Sequence, residues 1–276
     1  MKNVLMRHGN KPEGAQMIAK GAKRVRQRVY MLAQAIVGLK GETEQRAVVR
    51  NRIVLAARFI KGSGIEIGGL GRPLPVPLGV KVKYVDRLPQ AGLLEHYQWS
   101  NDGRISEPDI VDDAQTLGSI ADNSQDFLIA NHVIEHLPNP ILFFHNAFRV
   151  LKASGVLFFA LPEKTRTFDR LRPVTSFEHL VSDFRNGPDG SKEAHFREWV
   201  RLAQVYNGAE AHRTEEDYER QVAKLIAEDH SIHYHVWDTA AMIEMLARLK
   251  SEFSLPFETK AMLLSGDEVV FVVEKT

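Results

Sequence analysis

The 276-residue chain contains no cysteine, which excludes disulfide bonds and thiolate metal ligands. None of its apolar runs reaches the roughly 18–20 residues that a membrane-spanning helix needs. The first residues, MKNVLMRHGNKPEG, lack the apolar core of a signal peptide. The most basic segment, Lys20–Arg28, contains no aromatic residue, which argues against a groove for single-stranded nucleic acid. We therefore expect a cytoplasmic protein that does not bind nucleic acid.

Positive charge is concentrated towards the N-terminus. Residues 1–61 carry 14 Lys and Arg but only 3 Asp and Glu, a net charge of +11, so residues 62–276 carry −10. Such a segment could dock on anionic membrane lipid. Equally, it could be a solvated helix face that complements an acidic domain, and this simpler interpretation is the one we favour. Apolar spacing predicts helices from about Ala15 and again over Glu44–Ile60, so residues 1–61 are predicted to form a basic helical N-terminal extension.

Strand and helix patterns alternate after residue 61. The predicted elements are strands at Gly64–Ile67, Lys81–Val85, Phe127–Ala130 and Val156–Leu161, and helices at Ile141–Leu151, Phe177–Phe184, Glu193–Asp229 and Ala240–Leu249. Strands separated by helices pair in parallel and place helices on both faces of the sheet. The tail predicts strand–turn–strand, with Val269–Val273 as an internal strand. The predicted fold class is α/β: a Rossmann-like, doubly wound, mostly parallel sheet with an antiparallel C-terminal strand, formed by residues 62–276 with a helical insertion at about 177–229.

A glycine turn and two acids suggest a nucleotide site. The turn IEIGGLGRP follows the first predicted strand, and Asp86 ends the second strand 20 residues after Glu66. Glycines let a ligand approach the backbone closely, and an acid at a strand tip accepts hydrogen bonds from both ribose hydroxyls. This spacing predicts nucleotide-type recognition at the carboxyl edge of the sheet.

The motifs resemble a known family when they are taken in order. The series IEIGGLGRP, VKYVDRL, DIVDDAQTL, DFLIANHVIEHLPNP and RVLKASGVLFFALPEK resembles class I S-adenosylmethionine-dependent methyltransferases. More narrowly, the chain is similar to bacterial methyltransferase-domain proteins encoded with surface-polysaccharide glycosyltransferases, which carry segments like PEKTRTFDRLRPVTSFEHL and HSIHYHVWDTAAMIEML. The resemblance covers about Gly64 to Thr276. It implies S-adenosylmethionine as cofactor, bound by Glu66, Gly68, Gly69, Gly71, Asp86, Asp113, Asn131 and His132.

The cofactor loop departs from the family pattern at one position. Leu70 stands where the family has a glycine, and Pro73, Pro75 and Pro77 follow. Because proline is excluded from helix interiors, the helix expected after the loop should be missing or displaced. This departure motivates an alternative function, a catalytically silent methyltransferase-fold scaffold or binding module in glycan assembly.

The resemblance implies a sugar or glycan precursor as the methyl acceptor. A hydroxyl is a weak nucleophile near neutral pH and needs a general base, a role that suits histidine. His233 is the first candidate, followed by His235 and His136, with Asp169 and His179 also in the right region. His233 and His235 are predicted to lie on a strand and to face one side.

A basic cluster follows the strand that ends at Leu161. Its predicted substrate-binding residues are Lys164, Arg166, Asp169 and Arg172, and Arg170 is nearby. Cations at the carboxyl end of a strand suggest an anionic acceptor. A salt-bridged loop that uses Glu163 and Asp169 explains the same residues, and the sequence leaves both explanations open.

The segment HVIEH also matches the His-x-x-Glu-His pattern of inverted zinc peptidases. In such a site His132 and His136 would bind zinc from one helix, with Glu135 as the base. Pro138 and Pro140 follow immediately, so the segment is predicted to be a strand end and a turn. Accordingly, no metal ligands are assigned from the sequence.

Overall fold

A seven-stranded mixed sheet forms the centre of the protein. The computed structural model describes residues 44–69, 71–97, 105, 107–204 and 214–276, and the first predicted helix and Lys20–Arg28 lie outside them. The strand order is β3-β2-β1-β4-β5-β7-β6. In chain order the strands are β1 (Ser63–Ile67), β2 (Lys81–Asp86), β3 (Ile110–Val111), β4 (Gln125–Asn131), β5 (Leu151–Pro162), β6 (Phe257–Ser265) and β7 (Glu268–Lys275).

Five strands are parallel, and the C-terminal strand β7 enters antiparallel between β5 and β6. The central strands β4, β5 and β7 each contain a continuous run of buried apolar residues, as expected for strands covered on both faces. Val269–Val273 is buried throughout, which confirms the predicted internal strand. The predicted Rossmann-like α/β fold with an antiparallel C-terminal strand is therefore confirmed.

Helices cover the sheet and form the insertion. They are α1 (Glu44–Phe59), α2 (Gln90–His96), α3 (Pro140–Val150), α4 (Phe177–Asn186), α5 (Asp189–Glu198), α6 (Glu215–Ala227) and α7 (Thr239–Glu252). The prediction of one long helix over Glu193–Asp229 is wrong, because α5 passes into a short π-helix, Trp199–Gln204, and α6 starts separately. Among the helices described, none is both long and apolar enough to cross a bilayer.

The two faces of the sheet are covered differently. Helices α3, α4 and α7 bury one face in the larger core cluster. On the other face, Ala56 of α1 and Ile60 pack with Leu74 and Val76 of the extended segment after β1. Residues 71–80 form no helix, which confirms the expectation drawn from the prolines. Leu74 and Val76 thus take the place of the helix that was expected after the cofactor loop.

The helical insertion has a small core of its own. Phe196, Trp199, Tyr218 and Val222 pack together from α5, the π-helix and α6, and the segment that leads out of the insertion adds Tyr234. Arg87, just after β2, donates from Nη1 to Oδ2 of Asp229, 2.9 Å away. The end of the insertion therefore contacts the carboxyl edge of the sheet.

Candidate active site

The parallel register brings four strand ends together. Ile67 of β1 pairs with Val85 of β2 and Ala130 of β4, and Asp86 pairs with Val111 of β3. Ligands of open α/β sheets bind at this carboxyl edge. All the predicted cofactor-binding residues lie on or just after these strand ends.

The loop after β1 is tight. Glu66 is buried, and its Oε1 accepts a hydrogen bond from the backbone N–H of Leu74, 2.7 Å away. Gly68 has a φ of +64°, and a Cβ at that position would lie 3.0 Å from Cγ2 of Val133. The N–H of Gly68 donates to the carbonyl of Val85. Gly69 follows Gly68, and neither carries a side chain that could stand between the loop backbone and a ligand. Gly71 lies beyond Leu70, which is outside the described residues.

Asp86 stands half-buried at the end of β2. Burial raises its pKa to about 6, although the backbone N–H of Arg87, 2.8 Å from Oδ1, and the charge of Arg87 oppose the shift. Asp113 lies after β3, exposed, and its Oδ1 accepts from the N–H of Gln115 at 2.7 Å. The neighbouring Asp112 instead accepts hydrogen bonds at Oδ2 from the backbone N–H and the hydroxyl of Ser119.

Asn131 and His132 mark the end of β4. The Oδ1 of Asn131 is buried without a hydrogen-bond partner. His132 has a φ of +53°, and its Nε2 lies 2.7 Å from Oε2 of Glu268. Its Nδ1 lies 3.4 Å from Oε1 of Glu135. Arg52 of α1 also pairs with Glu268, so α1 is tied to the strand end through a chain of alternating charges.

The charges of these neighbouring side chains determine the protonation states of His132 and Glu135. Burial disfavours charge on His132, but the contacts with the carboxylates of Glu135 and Glu268 outweigh it and raise the pKa of His132 to about 9. Burial also disfavours charge on Glu135, yet the nearby charge of His132 outweighs it and lowers the pKa of Glu135 to about 2. Sequence reasoning missed Arg52 and Glu268 as site residues. It named Glu135 only as part of the zinc-peptidase pattern.

A cofactor of the implied kind fits these strand ends. An unpartnered buried acceptor on Asn131, a loop at Gly68 with little room for a side chain, and a half-buried carboxylate on Asp86 all lie at one edge. A ribose diol and a polar amino-acid group are complementary to such donors and acceptors.

A second group of polar side chains surrounds His233, the first candidate for the general base. Its Nδ1 lies 2.5 Å from Oδ2 of Asp169, and its ring meets the ring of His136 edge-on at a centroid distance of 4.7 Å. The Nδ1 of His136 lies 2.9 Å from the carbonyl of Ile232. Burial, and then the charge of His233, lower the pKa of His136 to about 4, so this ring is neutral near pH 7.

The predicted strand at His233 and His235 is wrong. The segment is irregular, with a single bridge between Trp237 and Glu163, because its backbone bonds to the turn after β4. The N–H of Tyr234 donates to the carbonyl of Glu135 at 2.7 Å. His235 is fully buried and faces His179 and His195, at ring-centroid distances of 5.5 and 5.0 Å. It therefore does not share the surroundings of His233.

The turn after β4 does not present a zinc-peptidase helix. Ile134–His136 is a single 3₁₀ turn, in agreement with the prediction from the prolines. His132 bonds to Glu268, whereas His136 bonds to Ile232. The two histidines of HVIEH thus have separate partners.

Most of the predicted basic cluster is internal. Arg172 is buried, and four of its N–H groups reach oxygens of Asp169, Glu198, His233 and Tyr234 at 2.8–3.3 Å. The Nζ of Lys164 donates to the carbonyl of Arg170. Because the guanidinium of Arg172 is directed into the protein, it cannot contact a substrate. Arg172 and Asp169 therefore support the fold around His233. Arg166 is exposed, with one N–H on the carbonyl of Gly266.

Comparison with known proteins agrees with this geometry. Residues 94–159 match the family model described as a methyltransferase domain. That stretch runs from α2 through β4 and α3 into β5, and so includes Asn131, His132 and Glu135 but not the glycine loop. No curated protein sequence matches the chain.

Several solved structures overlap loosely with the chain. A SAM-dependent methyltransferase of Thermotoga maritima is 16% identical, with 84% of this chain and 94% of that chain covered and a TM-score of 0.40. A protein of Pyrococcus horikoshii OT3 is 16% identical, with 87% and 94% covered and a TM-score of 0.47. A SAM-dependent methyltransferase of Methanosarcina mazei is 15% identical, with 79% and 95% covered and a TM-score of 0.40.

The strand order, rather than these overlaps, defines the fold. The sheet shows a Rossmann-like α/β fold. Within it, residues 94–159 match a methyltransferase domain, the kind of enzyme domain that uses S-adenosylmethionine as cofactor.

Proposed function

We propose that the protein transfers a methyl group to a hydroxyl of a sugar or glycan precursor, with His233 as general base and Asp169 as the residue that positions it. The observation that carries this proposal is the 2.5 Å contact between Nδ1 of His233 and Oδ2 of Asp169. An aspartate on Nδ1 holds the proton there and leaves Nε2 as the basic nitrogen. Acceptor alcohols need such a base, whereas amines and carboxylates need mainly alignment.

Arg172 holds the carboxylate of Asp169 in position. Its other oxygen, Oδ1, lies 2.9 Å from Nη1 of Arg172. Although burial acts to raise the pKa of Asp169, the hydrogen bond from His233 and the charge of Arg172 lower it overall. The carboxylate is therefore ionised near neutral pH, and it stabilises the imidazolium that forms when His233 takes a proton.

The cofactor would be held at the neighbouring strand ends. Glu66 orders the loop through the N–H of Leu74. Asp86 would accept hydrogen bonds from the ribose hydroxyls, and Asn131 would offer its unpartnered oxygen. When bound, the cofactor supplies an electrophilic methyl group. The chain's own part is to align the acceptor, exclude water and accept the hydroxyl proton at Nε2 of His233.

The proposal includes an anionic methyl acceptor, such as a sugar carried on a diphosphate, although fewer cations are available to bind it than the sequence predicted. Arg166 and Arg170 are the exposed cations of the predicted cluster, and they are the candidates for phosphate contact. The link to surface polysaccharides rests on the resemblance of two segments, and contact of the basic N-terminal segment with anionic membrane also remains an expectation.

The test has two stages. Calorimetry first measures the binding of S-adenosylmethionine and S-adenosylhomocysteine to the wild type and to Asp86→Ala, and we expect micromolar binding that the substitution abolishes. Release of S-adenosylhomocysteine is then followed with a panel of sugar nucleotides, glycolipid precursors and amines, using wild type and His233→Gln. Turnover on sugars that His233→Gln loses supports the proposal. Full turnover by His233→Gln removes that residue from the role, and binding without turnover on any acceptor favours the silent scaffold.

A further inference from the structure

A second group of ionisable side chains lies in the helical insertion, apart from His233. His179 and Asp183 occupy positions i and i+4 of α4, His195 lies on α5, and His235 lies on the irregular segment before α7. Each offers one nitrogen or oxygen atom, and the four atoms all lie within 4.8 Å of one another. Asp183 and His235 are buried, at 3% and 0% exposure.

The spacing of these atoms approaches that of a tetrahedral metal site. Nε2 of His179 lies 3.0 Å from Nε2 of His195 and 3.1 Å from Oδ2 of Asp183. Tetrahedral zinc, with bonds of about 2.0–2.1 Å to imidazole nitrogen, separates neighbouring ligand atoms by roughly 3.3 Å. Two of the six separations are therefore close to tetrahedral spacing, and the remaining ones, at 4.8 Å or less, would have to shorten when an ion binds.

Hydrogen bonds among the four residues do not account for their burial. Nε2 of His179 carries at most one proton, yet it faces both an imidazole nitrogen and a carboxylate oxygen. Oδ2 of Asp183 and Nδ1 of His235 are buried without a hydrogen-bond partner. Unpartnered buried polar atoms are costly in free energy, and here two of them are directed into the same cluster.

The atoms behind the cluster are arranged as in metal sites. Nε2 of His235 lies 3.3 Å from the carbonyl of Pro138, which leaves Nδ1 directed at the other ligands. Ser191 donates from Oγ to Oδ1 of Asp183 at 2.8 Å, which leaves Oδ2 free to coordinate. Partners of this kind on the far side of each ligand orient ligands in metalloproteins.

We propose that His179, Asp183, His195 and His235 bind one divalent transition-metal ion, with Zn²⁺ the ion that fits best. Three imidazoles and one carboxylate suit Zn²⁺ better than Mg²⁺ or Ca²⁺, which prefer oxygen ligands. Four protein ligands fill a tetrahedral shell, so the site is structural.

A bound ion would clamp α4 and α5 to the segment that carries His233. His235 is two residues from His233, and α5 also bears Glu198, whose Oε1 accepts from Nε of Arg172 at 2.8 Å. The ion would therefore hold the insertion against the Arg172–Asp169–His233 group. This role is independent of which acceptor the enzyme methylates.

The decisive experiment is metal analysis of the full chain. Purified protein is stripped with chelator, its fold is checked by circular dichroism, and Zn²⁺ and Co²⁺ are titrated in separately. We expect one equivalent of Zn²⁺ per chain, a rise in melting temperature on binding, and a visible Co²⁺ spectrum typical of tetrahedral coordination. A folded stripped chain that binds neither ion would overturn the proposal. So would a folded protein that contains no metal as purified and takes up neither ion when it is added.

The Zn²⁺ affinity of single-residue variants tests which side chains bind the ion. Asp183→Asn keeps the shape and the Ser191 hydrogen bond, and His195→Gln removes one imidazole; each is expected to weaken Zn²⁺ binding at least tenfold. His145→Gln is the matched control, because His145 is a half-buried histidine stacked on Phe184 of α4 but outside the cluster. Unchanged affinity in both ligand variants would place the ion elsewhere and refute the assignment. If a variant fails to fold, the wild-type stoichiometry and Co²⁺ spectrum still decide.

Discussion

Nδ1 of His233 and Oδ2 of Asp169 lie 2.5 Å apart although 64 residues separate them in the chain. Asp169 belongs to a 3₁₀ turn shortly after β5, and His233 follows the helical insertion. The contact therefore exists only because the insertion returns to the carboxyl edge of the sheet. It joins the catalytic prediction for His233 to a carboxylate that the sequence suggested for substrate binding.

Replacing Asp169 by Asn should impair catalysis more than cofactor binding. The amide keeps the size of the carboxylate but does not stabilise an imidazolium, and it can stabilise the wrong tautomer of His233. We expect kcat to fall about 100-fold, at the lower end of what general-base catalysis contributes, with little change in the dissociation constant of S-adenosylmethionine. The pH dependence of kcat should change as well. Asp189→Asn, at an exposed site on α5, is the control, and wild-type kcat in Asp169→Asn would contradict the assignment.

Replacing Arg172 by Met should cost about 3–5 kcal/mol of unfolding free energy, the range seen when one member of a buried ion pair is removed. The change removes the hydrogen bonds that Arg172 donates to Oδ1 of Asp169 and to the carbonyls of His233 and Tyr234. Arg172→Lys should rescue little, because a single ammonium cannot replace donors that point in several directions. Urea unfolding measures both. Arg185→Met, an exposed change on α4, should stay within about 0.5 kcal/mol; a similarly small effect at Arg172 would contradict the buried network.

Local sequence was sufficient to predict six of the seven strands, whereas the two-residue strand β3 (Ile110–Val111) was not predicted. Runs such as FLIA in β4 and VVFVV in β7 are buried on both faces, and fully buried strands have this composition. The prolines after Gly71 likewise predicted the missing helix, because a proline ring is incompatible with a helix interior regardless of tertiary contacts. These predictions succeeded because their causes lie within a few residues.

The surroundings of His233 and Arg172 could not be predicted in the same way. His233 and His235 alternate with apolar residues, which is typical of a strand, but their backbone bonds to Glu135 and Arg172 instead of to a neighbouring strand. Arg172 looked available to a ligand because its partners Glu198, His233 and Tyr234 are 26–62 residues away. The pair His179 and Asp183 did carry a local signal, two ligand types at i, i+4 on an amphipathic helix, and the helix prediction would have placed them on one face.

The charge on His132 should make stability depend on pH in the alkaline range. Its pKa is raised from 6.5 to about 9 in the folded state, so the stabilisation is fully present below pH 6.5 and is lost as the pH rises through about 9. Because the side chain is 37% exposed, solvent screening limits the effect to about 1 kcal/mol. The unfolding free energies of wild type and His132→Gln should therefore differ more at about pH 6 than at about pH 9.5. A difference that is constant over this range would show that His132 is not charged in the folded protein.

The ionised carboxylate of Asp86 should lower the stability of the folded protein and raise its affinity for the cofactor. Its pKa is raised from 3.8 to about 6, chiefly by burial, so ionising it in the folded protein without cofactor lowers stability as the pH rises from 3.8 through 6. Asp86→Asn should accordingly raise the melting temperature near pH 7.5 and leave it unchanged below about pH 4. The same substitution should weaken S-adenosylhomocysteine binding by roughly 10- to 100-fold, the worth of a hydrogen bond to a charged group.

The pH dependence of binding tests the same carboxylate directly. Wild-type affinity should decline below about pH 6 as Asp86 takes up a proton and loses acceptor capacity, whereas the Asn variant should bind with nearly constant affinity over the same range. Calorimetric titrations from about pH 5 to about pH 8 give both curves. Parallel curves for the two proteins would mean that another group controls the titration, and equal affinities near neutral pH would place the ribose hydroxyls away from the end of β2.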